Sequence, residues 1–552
     1  MKRIVVFLIL MLTFLLCSCN NETPNNEINT DFAKTDEEMF TNKDLTNDIE
    51  EASIIEIRLL GDSILCDHQG VKIDGRCATI KDSGIYLISG SLENGSLIVD
   101  GDNIKPHLIL SDVTIEGGTL APIYIKSCNK TFITLKEETS NRLSTSGEFV
   151  QVDDNNVDSV IYAKDDVTIN GTGKLIVNSP NGHGIVAKDD LVISSGNIEI
   201  NALNHGIDAN NSVRLATPKL SIVSGKDGIH TENEDENYGY IYMSQPIIDI
   251  TTQGDGVSAS GLIQIKNGKI KINSTKGELT DSYKGIKSGS TLIIESGNLE
   301  IESYDDCLHS VNITIATVEA MLETTDDGLH ADEKLEINGG KIEIINSYEG
   351  IEGLNITINS GEINLIAIDD GINSAGGNDN SGFGGGFGND NFGHPGPRPG
   401  GMGGGMGTTS SNGSIVINGG TIYIQASGDG IDSNGYLEIN GGIVTVCGPT
   451  RGDTAVLDYD TTGIINGGSF VGTGSSMMAQ TLTSTNHGII SLNVGKQLAG
   501  ETITITDDSG TELLNYTPQL DYAIFIVSIP ELVKGESYTV RIGSSEGVFE
   551  AQ

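Results

Sequence analysis

Residues 335–351 read Leu335-Glu336-Ile337-Asn338-Gly339-Gly340-Lys341-Ile342-Glu343-Ile344-Ile345-Asn346-Ser347-Tyr348-Glu349-Gly350-Ile351. Two runs in this stretch alternate apolar and polar residues with period two, Leu335–Ile337 and Lys341–Ile344, which is the signature of strands. Asn338-Gly339-Gly340 between them is tight-turn chemistry that asks for positive φ. Glu349-Gly350-Ile351 then closes the unit with an acidic residue, a glycine and an aliphatic.

That closing triplet recurs as Asp227-Gly228-Ile229, Asp255-Gly256-Val257, Asp327-Gly328-Leu329, Asp370-Gly371-Ile372 and Asp429-Gly430-Ile431. Degenerate copies are His183-Gly184-Ile185, His205-Gly206-Ile207, Lys284-Gly285-Ile286 and Asp306-Cys307-Leu308. The central position runs 184, 206, 228, 256, 285, 307, 328, 350, 371 and 430, and most steps are 21 or 22 residues. An aliphatic pair sits six and eight residues before the glycine, as in Ile198/Ile200, Leu220/Ile222, Leu299/Ile301, Ile363/Leu365 and Ile422/Ile424. Internal periodicity of this length means a repeat array. Three short strands per unit, with no helical period and no room for a crossover helix, make each unit one coil of a parallel β-helix. Each coil would bury about five aliphatics, worth roughly 1.5–3 kcal/mol apiece, and stacked coils would cover one another's open edges. Asn338, Asn359, Asn418, Asn440 and Asn466 share one turn position. They are either turn formers or an amide ladder.

Composition agrees with a thin repetitive core. The 552 residues are 37% hydrophobic, with 71 glycines and no tryptophan. The net charge of -44 repels nucleic acid and anionic lipid, so a polyanion would bind only through a bridging cation. No apolar run reaches the roughly 18–20 residues of a membrane-spanning helix.

Lys2 and Arg3 precede an apolar run from Ile4 to Leu16, which is a signal-peptide core. Leu16-Cys17-Ser18-Cys19 resembles a bacterial lipobox, which implies acylation of Cys19 and a lipid anchor on the outer face of the cell membrane. The expected division is a signal peptide at 1–18, a disordered acidic tether at 19–53 and a β-rich N-terminal cap at 54–150. The parallel β-helix follows at 151–487, with a Gly-rich insertion at 373–412, and a C-terminal β cap or small domain occupies 488–552. Cys66, Cys77, Cys128, Cys307 and Cys447 form no disulfide framework, although Cys66 and Cys77 could pair across a turn.

Surplus residues fall at Thr231–Tyr240, Ser274–Tyr283 and 373–412, beside the acidic corner, and insertions gathered on one edge mark a working face. Stacking would place Asp306, Asp327, Glu349 and Asp370 in a carboxylate column with Asp305, Asp326 and Asp369 beside it. Two such charges about 5 Å apart repel by roughly 3 kcal/mol at an effective dielectric near 20, so the column needs cations, protonation or splayed side chains. Calcium–oxygen bonds of about 2.4 Å suit one ion between two such carboxylates. The expected metal residues are Asp227, Asp255, Asp306, Asp326, Asp327, Asp369, Asp370 and Asp429. Glu232–Asn237 is a second calcium candidate. His230, His309 and His330, on the neighbouring column, are poor ligands for that ion. The plainer alternative is that aspartate before glycine is simply good turn chemistry.

From about Val71 onward the sequence resembles the bacterial carbohydrate-binding domain-containing β-helix proteins, distant relatives of pectate lyases. The resemblance rests on Asp82-Ser-Gly-Ile-Tyr-Leu-Ile-Ser-Gly90, Pro122-Ile-Tyr-Ile125 and Tyr162-Ala-Lys-Asp-Asp-Val-Thr-Ile-Asn-Gly171. It continues through Gly184-Ile-Val-Ala-Lys-Asp-Asp190, Lys226-Asp-Gly-Ile229 and Tyr238-Gly-Tyr-Ile-Tyr242. It implies a right-handed parallel β-helix that binds acidic polysaccharide such as polygalacturonate with bound calcium. Asp227, Asp255, Asp327, Asp370 and Asp429 match the acidic corners of that family. His183, His205, Lys284 and Cys307 depart from the pattern, which puts calcium in doubt at their coils.

Three functions follow. The first is a non-catalytic, monomeric cell-surface protein that binds acidic polysaccharide. The second is a calcium-dependent lyase using a Lys or Arg base, for which Lys284 is the candidate and Lys226 and Arg214 are near in repeat terms. The third is an adhesin or spacer.

Overall fold

The computed structural model describes residues 33–47, 53–375, 413–450, 452 and 454–552. Alternation decides the core. Strands Asn197–Ala202, Lys219–Ser224, Ile247–Thr252 and Lys269–Ser274 point every second residue inward, and each pairs parallel with the next. The register aligns Ile198 with Leu220, Ile248 and Ile270, and Ile200 with Ile222, Ile250 and Ile272. All eight are buried. A one-residue slip would turn the whole set to solvent, so the apolar period itself fixes the stacking.

Two further parallel series run beside this one. One contains Ile207–Ala209, Ile229–Thr231 and Val257–Ala259. The other contains Ser212–Leu215, Tyr240–Met243 and Ile263–Ile265. All three series belong to one 45-stranded sheet, so the protein is all-β with a long, largely parallel ladder. A four-stranded antiparallel sheet, with strands Ile503–Thr506, Glu512–Tyr516, Ser537–Ile542 and Ser545–Glu550, lies near the C-terminus. Strand Tyr522–Ser528 pairs antiparallel with Ser469–Gly474 and so covers the last open edge of the ladder.

The structure corrects two expected boundaries. Parallel pairing does not begin near residue 151. Ile54–Gly61 already pairs parallel with Ile85–Glu93, and that strand with His107–Glu116. These units stack through buried Ile57, Ile88 and Leu110 without the acidic-glycine triplet that made later units visible. The second correction concerns the tether. Residues 33–47 form two short helices, Asp36–Met39 and Asn42–Leu45, each opened by a threonine capping box. They are docked: Met39 and Phe40 are buried with Val192, Ala216 and Tyr242, and Asp44 meets Lys130 at 2.7 Å. The acidic residues that suggested disorder are the ones that hold this segment down. Residues 19–32 and 48–52, the signal peptide, Cys19 and residues 376–412 of the Gly-rich insertion lie outside the described residues. Cys66 and Cys77 are free thiols.

The Asn-Gly-Gly turn behaves as its chemistry requires. Gly340, Gly420, Gly442 and Gly468 have φ between +76° and +96°. The asparagines do more than turn the chain. Each side-chain amide donates to the previous Oδ1: Asn359 to Asn338 at 2.7 Å, Asn418 to Asn359 at 2.7 Å, Asn440 to Asn418 at 2.9 Å and Asn466 to Asn440 at 2.9 Å. Of the two readings left open by the sequence, the amide ladder is the one observed.

Candidate functional site

The acidic corner is built by backbone first. Gly228 N–H donates to the Asp255 carbonyl, Gly350 N–H to that of Asp370 and Gly371 N–H to that of Asp429. The glycine is needed for close approach. A Cβ on Gly228 would lie 2.6 Å from both the Gly256 carbonyl oxygen and Ile250 Cγ2. The acidic side chain extends the same pattern. Asp227 Oδ1 accepts from Asp255 N–H at 2.9 Å, and Asp255 Oδ1 from Lys284 N–H at 2.8 Å. Asp306 Oδ1 accepts from Asp327 N–H at 3.2 Å, and Asp327 Oδ1 from Glu349 N–H at 3.1 Å. Asp370 Oδ1 accepts from Asp429 N–H at 2.5 Å. One oxygen of each of these five carboxylates is therefore structural. The other oxygen of Asp227 meets His205 on the same column, and that of Asp306 meets Lys284 on the same column and His309 on the neighbouring one.

That column stands two residues after each corner glycine. The strand register aligns Asp208, His230, Ser258, Lys287, His309, His330 and Glu352. It continues through Asn373, Asp432 and Asp458. Sequence reasoning singled out only the three histidines. The same offset from Gly430 marks Asp432, and that was the signal that could have found it.

From His205 to Glu352 several acids have a cationic or titratable partner on the same column or the next, although burial and the charge of Asp227 push Asp255 up to about 6. His205 Nδ1 lies 3.4 Å from Asp227 Oδ2, and His230 Nδ1 lies 2.8 Å from Asp208 Oδ1. Burial opposes ionisation of Asp227, but His205 and His230 outweigh it and hold the carboxyl low. Burial likewise works against the His230 cation, yet Asp208 and Asp227 raise it to about 9. Lys284, only 2% exposed, places its ammonium 2.7 Å from Asp305 and 2.8 Å from Asp306. His309 adds a contact to Asp306 at 2.9 Å. Asp306 is therefore held well below the carboxylate range despite its burial. His330 faces Asp327 at 3.1 Å and Glu352 at 3.3 Å, and against its burial Asp327 and Asp306 raise it to about 10.

Beyond Glu352 the imidazoles stop. Asp370, Asp429 and Asp432 each offer an oxygen, and the three oxygens lie within 4.8 Å of one another. Burial, then the charges of Asp429 and Asp369, pushes Asp370 up to about 7. Burial, then Asp370, Asp429 and Asp458, pushes Asp432 up to about 8. The donor set is all oxygen, which is the chemistry of a hard divalent cation.

The expected metal residues thus separate. Asp370 and Asp429 join one oxygen cluster, completed by Asp432. Asp306 and Asp326 join another with Asp305, but the Lys284 ammonium already bonds two of its members. Burial and the neighbouring acids Asp306, Asp327 and Asp305 push Asp326 up to about 9. Asp227 sits between His205 and His230, and Asp327 sits with His330 and Glu352. Asp255 takes a hydrogen bond from Ser282 Oγ at 2.7 Å and joins no group of three donors among the described residues. Asp369 hydrogen-bonds Tyr348 instead. Glu232–Asn237 is an exposed loop in which Asp235 accepts from Asn237, and none of its acids joins such a group. Lys284, buried and bonded to two carboxylates, is not placed as a base that a polymer could reach. Arg214 bonds Asp190 at 2.6 Å and the Met39 carbonyl at 3.1 Å, on the face that residues 33–47 cover.

Comparison with known proteins covers the first part of this ridge. Residues 74–321 match the family described as carbohydrate-binding domain-containing protein. A carbohydrate-binding domain-containing protein of Acetivibrio thermocellus is 34% identical over 217 residues, 38% of this chain and 76% of the relative. The polysaccharide lyase-like protein from C. thermocellum, solved as a gadolinium derivative, is 31% identical with a TM-score of 0.41. That similarity covers 44% of this chain and 96% of the other. Asp227, Asp255 and Asp306 lie inside the matched family region, whereas Asp370, Asp429 and Asp432 lie beyond it.

Proposed function

Because the chain belongs to the carbohydrate-binding domain-containing protein family, we propose that it is a non-catalytic binder of acidic polysaccharide, and that calcium on its acidic ridge bridges protein and polyuronate. The observation that carries the calcium reading is the oxygen cluster of Asp370, Asp429 and Asp432, two of whose carboxyls resist ionisation at neutral pH. Charge sets the ligand type. A protein of net charge -44 repels a polyuronate, and a bound dication reverses the local field. Calcium would be held by these three carboxylates and would supply the remaining coordination positions to sugar carboxylates.

On the same reading the parallel ladders wind as a right-handed β-helix of about 22 residues per coil. A monomer then hangs from the outer face of the cell membrane through acylated Cys19. The family membership and the lipobox-like Leu16–Cys19 support these placements.

The test is retention on insoluble polygalacturonate with calcium and with EDTA. Retention with calcium, lost in EDTA and in Asp370→Asn/Asp432→Asn, is expected. Absence of retention with calcium overturns the reading. Release of unsaturated sugar by the purified protein would convert it to the lyase reading.

A further inference from the structure

Away from the acidic ridge, residues 34–47 lie as a strap across another column of the ladder. The register there aligns Phe132, Thr168, Val192, Arg214, Tyr242 and Gln264 on six successive turns. The strap crosses them in reverse order. Lys34 bonds Gln264, Asp36 bonds Tyr242, the Met39 carbonyl accepts from Arg214, Asp44 accepts from Thr168, and Lys43 lies over the Phe132 ring. We propose that the groove beneath the strap is a second binding site for acidic polysaccharide, independent of calcium, and that residues 34–47 fill it as an internal stand-in for that ligand. The proposal rests on the polymer class read from the ridge, and on none of the ridge's residues.

The strap is held largely through groups that a polyuronate also carries. Asp36 Oδ1 accepts from the Tyr242 hydroxyl at 2.7 Å, and its Oδ2 from the Lys266 ammonium at 3.1 Å. Asp44 Oδ1 accepts from Lys130 at 2.7 Å and from Thr168 Oγ1 at 2.6 Å. Each receptor pairs an ammonium with a hydroxyl, so each makes charge-assisted bonds to a carboxylate. Burial opposes ionisation of Asp44, yet Lys130, Thr168 and Thr41 hold its carboxyl down at about 2. Between the two receptors the groove donates to backbone carbonyls: Gln264 Nε2 to that of Lys34 at 2.9 Å, Arg214 Nη1 to that of Met39 at 3.1 Å, and Ser194 Oγ to that of Asp44. Hydroxyl and ring oxygens of a glycan are acceptors of the same kind. Phe40 packs on Tyr242 with centroids 5.8 Å apart, where a sugar face would meet the aromatic ring.

The strap fits the groove incompletely. Arg214 Nε is buried and makes no hydrogen bond among the described residues, while Nη2 of the same guanidinium bonds Asp190 at 2.6 Å. A buried N–H left over beside a filled groove suits an occupant richer in oxygen. Met39 and Phe40 are buried, but Leu45 is 49% exposed. The two helices of the strap have four residues each, too short to persist by themselves. The strands beneath pair with one another and not with the strap, so the groove does not need it to form. Asp190 beside Arg214 and Asp166 beside Lys130 keep the groove from being a broad positive field. It is instead a pair of discrete carboxylate receptors set several turns apart. The groove lies inside residues 74–321, the region that matches the carbohydrate-binding family, and the strap lies outside it.

The experiment uses the full chain carrying Asp370→Asn/Asp432→Asn, in EDTA, so that the ridge is silent. It reads retention on insoluble polygalacturonate at low salt. With the strap in place this protein should wash through. Adding Met39→Ser/Phe40→Ser/Asp44→Ser, which frees the strap without altering the groove, should raise retention at least tenfold. Lys130→Met and Lys266→Met should each remove most of that gain, as should an excess of a synthetic peptide of residues 34–47. Insoluble cellulose should retain neither protein. If the freed variant fails to melt cooperatively, Asp36→Asn/Asp44→Asn takes its place, with a smaller gain expected. No gain on freeing the strap overturns the proposal. So does a gain that survives Lys130→Met/Lys266→Met, or one that appears equally on cellulose and therefore marks bare apolar surface. Calcium-dependent retention of the unaltered chain tests the ridge separately. EDTA-resistant retention of the freed variant without it would sink the ridge reading alone, and the reverse result would sink this one alone.

Discussion

Two stretches of one ridge share a backbone and differ in how they balance charge. From Asp227 to Glu352 three corner acids face a cationic or titratable partner, Asp227 with His205, Asp306 with Lys284 and His309, and Asp327 with His330, while Asp255 accepts from Ser282 Oγ and Glu349 from the Asn373 amide. From Asp370 to Asp458 the neighbouring column supplies Asn373, Asp432 and Asp458 instead. The strand register is continuous through both stretches, so the fold does not choose between them. The identities of two positions per turn do, the corner residue and the strand residue two places after its glycine. A repeat can therefore keep its corner as turn chemistry while changing what that corner binds.

The sharpest way to break the contrast is to remove the counter-charge in the first stretch. Lys284→Met leaves Asp305 and Asp306, both buried, without the ammonium that bonds them. Stripping one partner from a buried pair costs about 3–5 kcal/mol. A melting temperature lowered by many degrees is expected in EDTA, with partial recovery in calcium, because the first stretch then resembles the second. A melt unchanged from the parent would show that this ion pair contributes nothing.

Calcium should discriminate between the stretches next. The parent should gain thermal stability as calcium rises, by about 2.7 kcal/mol at a hundred times the dissociation constant. Asp432→Asn should lose most of that gain while being more stable than the parent in EDTA, since one repelling charge is gone. His330→Gln should keep the gain. Equal responses in both variants would erase the distinction drawn here.

Acid titration separates Asp370 and Asp432 from His230 and His330 by pH window. Asp370 and Asp432 are raised to about 7 and about 8, so the folded state resists their ionisation. Their penalty is absent below the unfolded carboxylate value near pH 4 and complete above about 8. His230 and His330 are raised to about 9 and about 10, so they stabilise fully below about pH 6.5, and that contribution is lost as pH climbs through 9–10. In EDTA, Asp432→Asn should flatten the decline between pH 4 and 8, and His330→Gln the decline above 6.5. Urea melts across pH give both slopes.

The sequence showed the stacking because its marks are short and local. The aliphatic pair, the Asn-Gly-Gly turn and the acidic-glycine corner each recur within one unit. It did not show where stacking starts, since the strands around Ile57 and Ile88 carry the apolar pattern without the triplet. It misjudged residues 33–47 because acidic residues scattered through a short segment suggest solvent, whereas Asp36 and Asp44 meet Lys266 and Lys130 far along the chain. The candidate site was half legible. Corner acids could be aligned by eye, but their partners depend on which strand residue faces the corner, and that is fixed by the register of a three-residue strand. Asp432 and Glu352 therefore escape a reading by eye, and Lys284, the candidate base of the lyase alternative, is a buried counter-ion.

The smallest expected effect lies on the opposite turn. At the position of Asn338, earlier turns carry Ala216, Ser244, Lys266, Glu295 and Ala316, and the amide ladder begins where these end. It then runs alongside the stretch whose carboxylates lack imidazole partners. Asn418 bonds Asn359 on one side and Asn440 on the other. Asn418→Ala breaks two neutral, exposed hydrogen bonds and should cost about 1 kcal/mol, whereas Ala316→Asn, one turn before the ladder, should extend it by one rung and recover a few tenths of that. If the ladder braces the stretch strained by like charge, the Asn418→Ala loss should be larger at pH 8 in EDTA than in calcium. A loss identical in both conditions would mean that the ladder and the ridge are neighbours in the fold without sharing any energy.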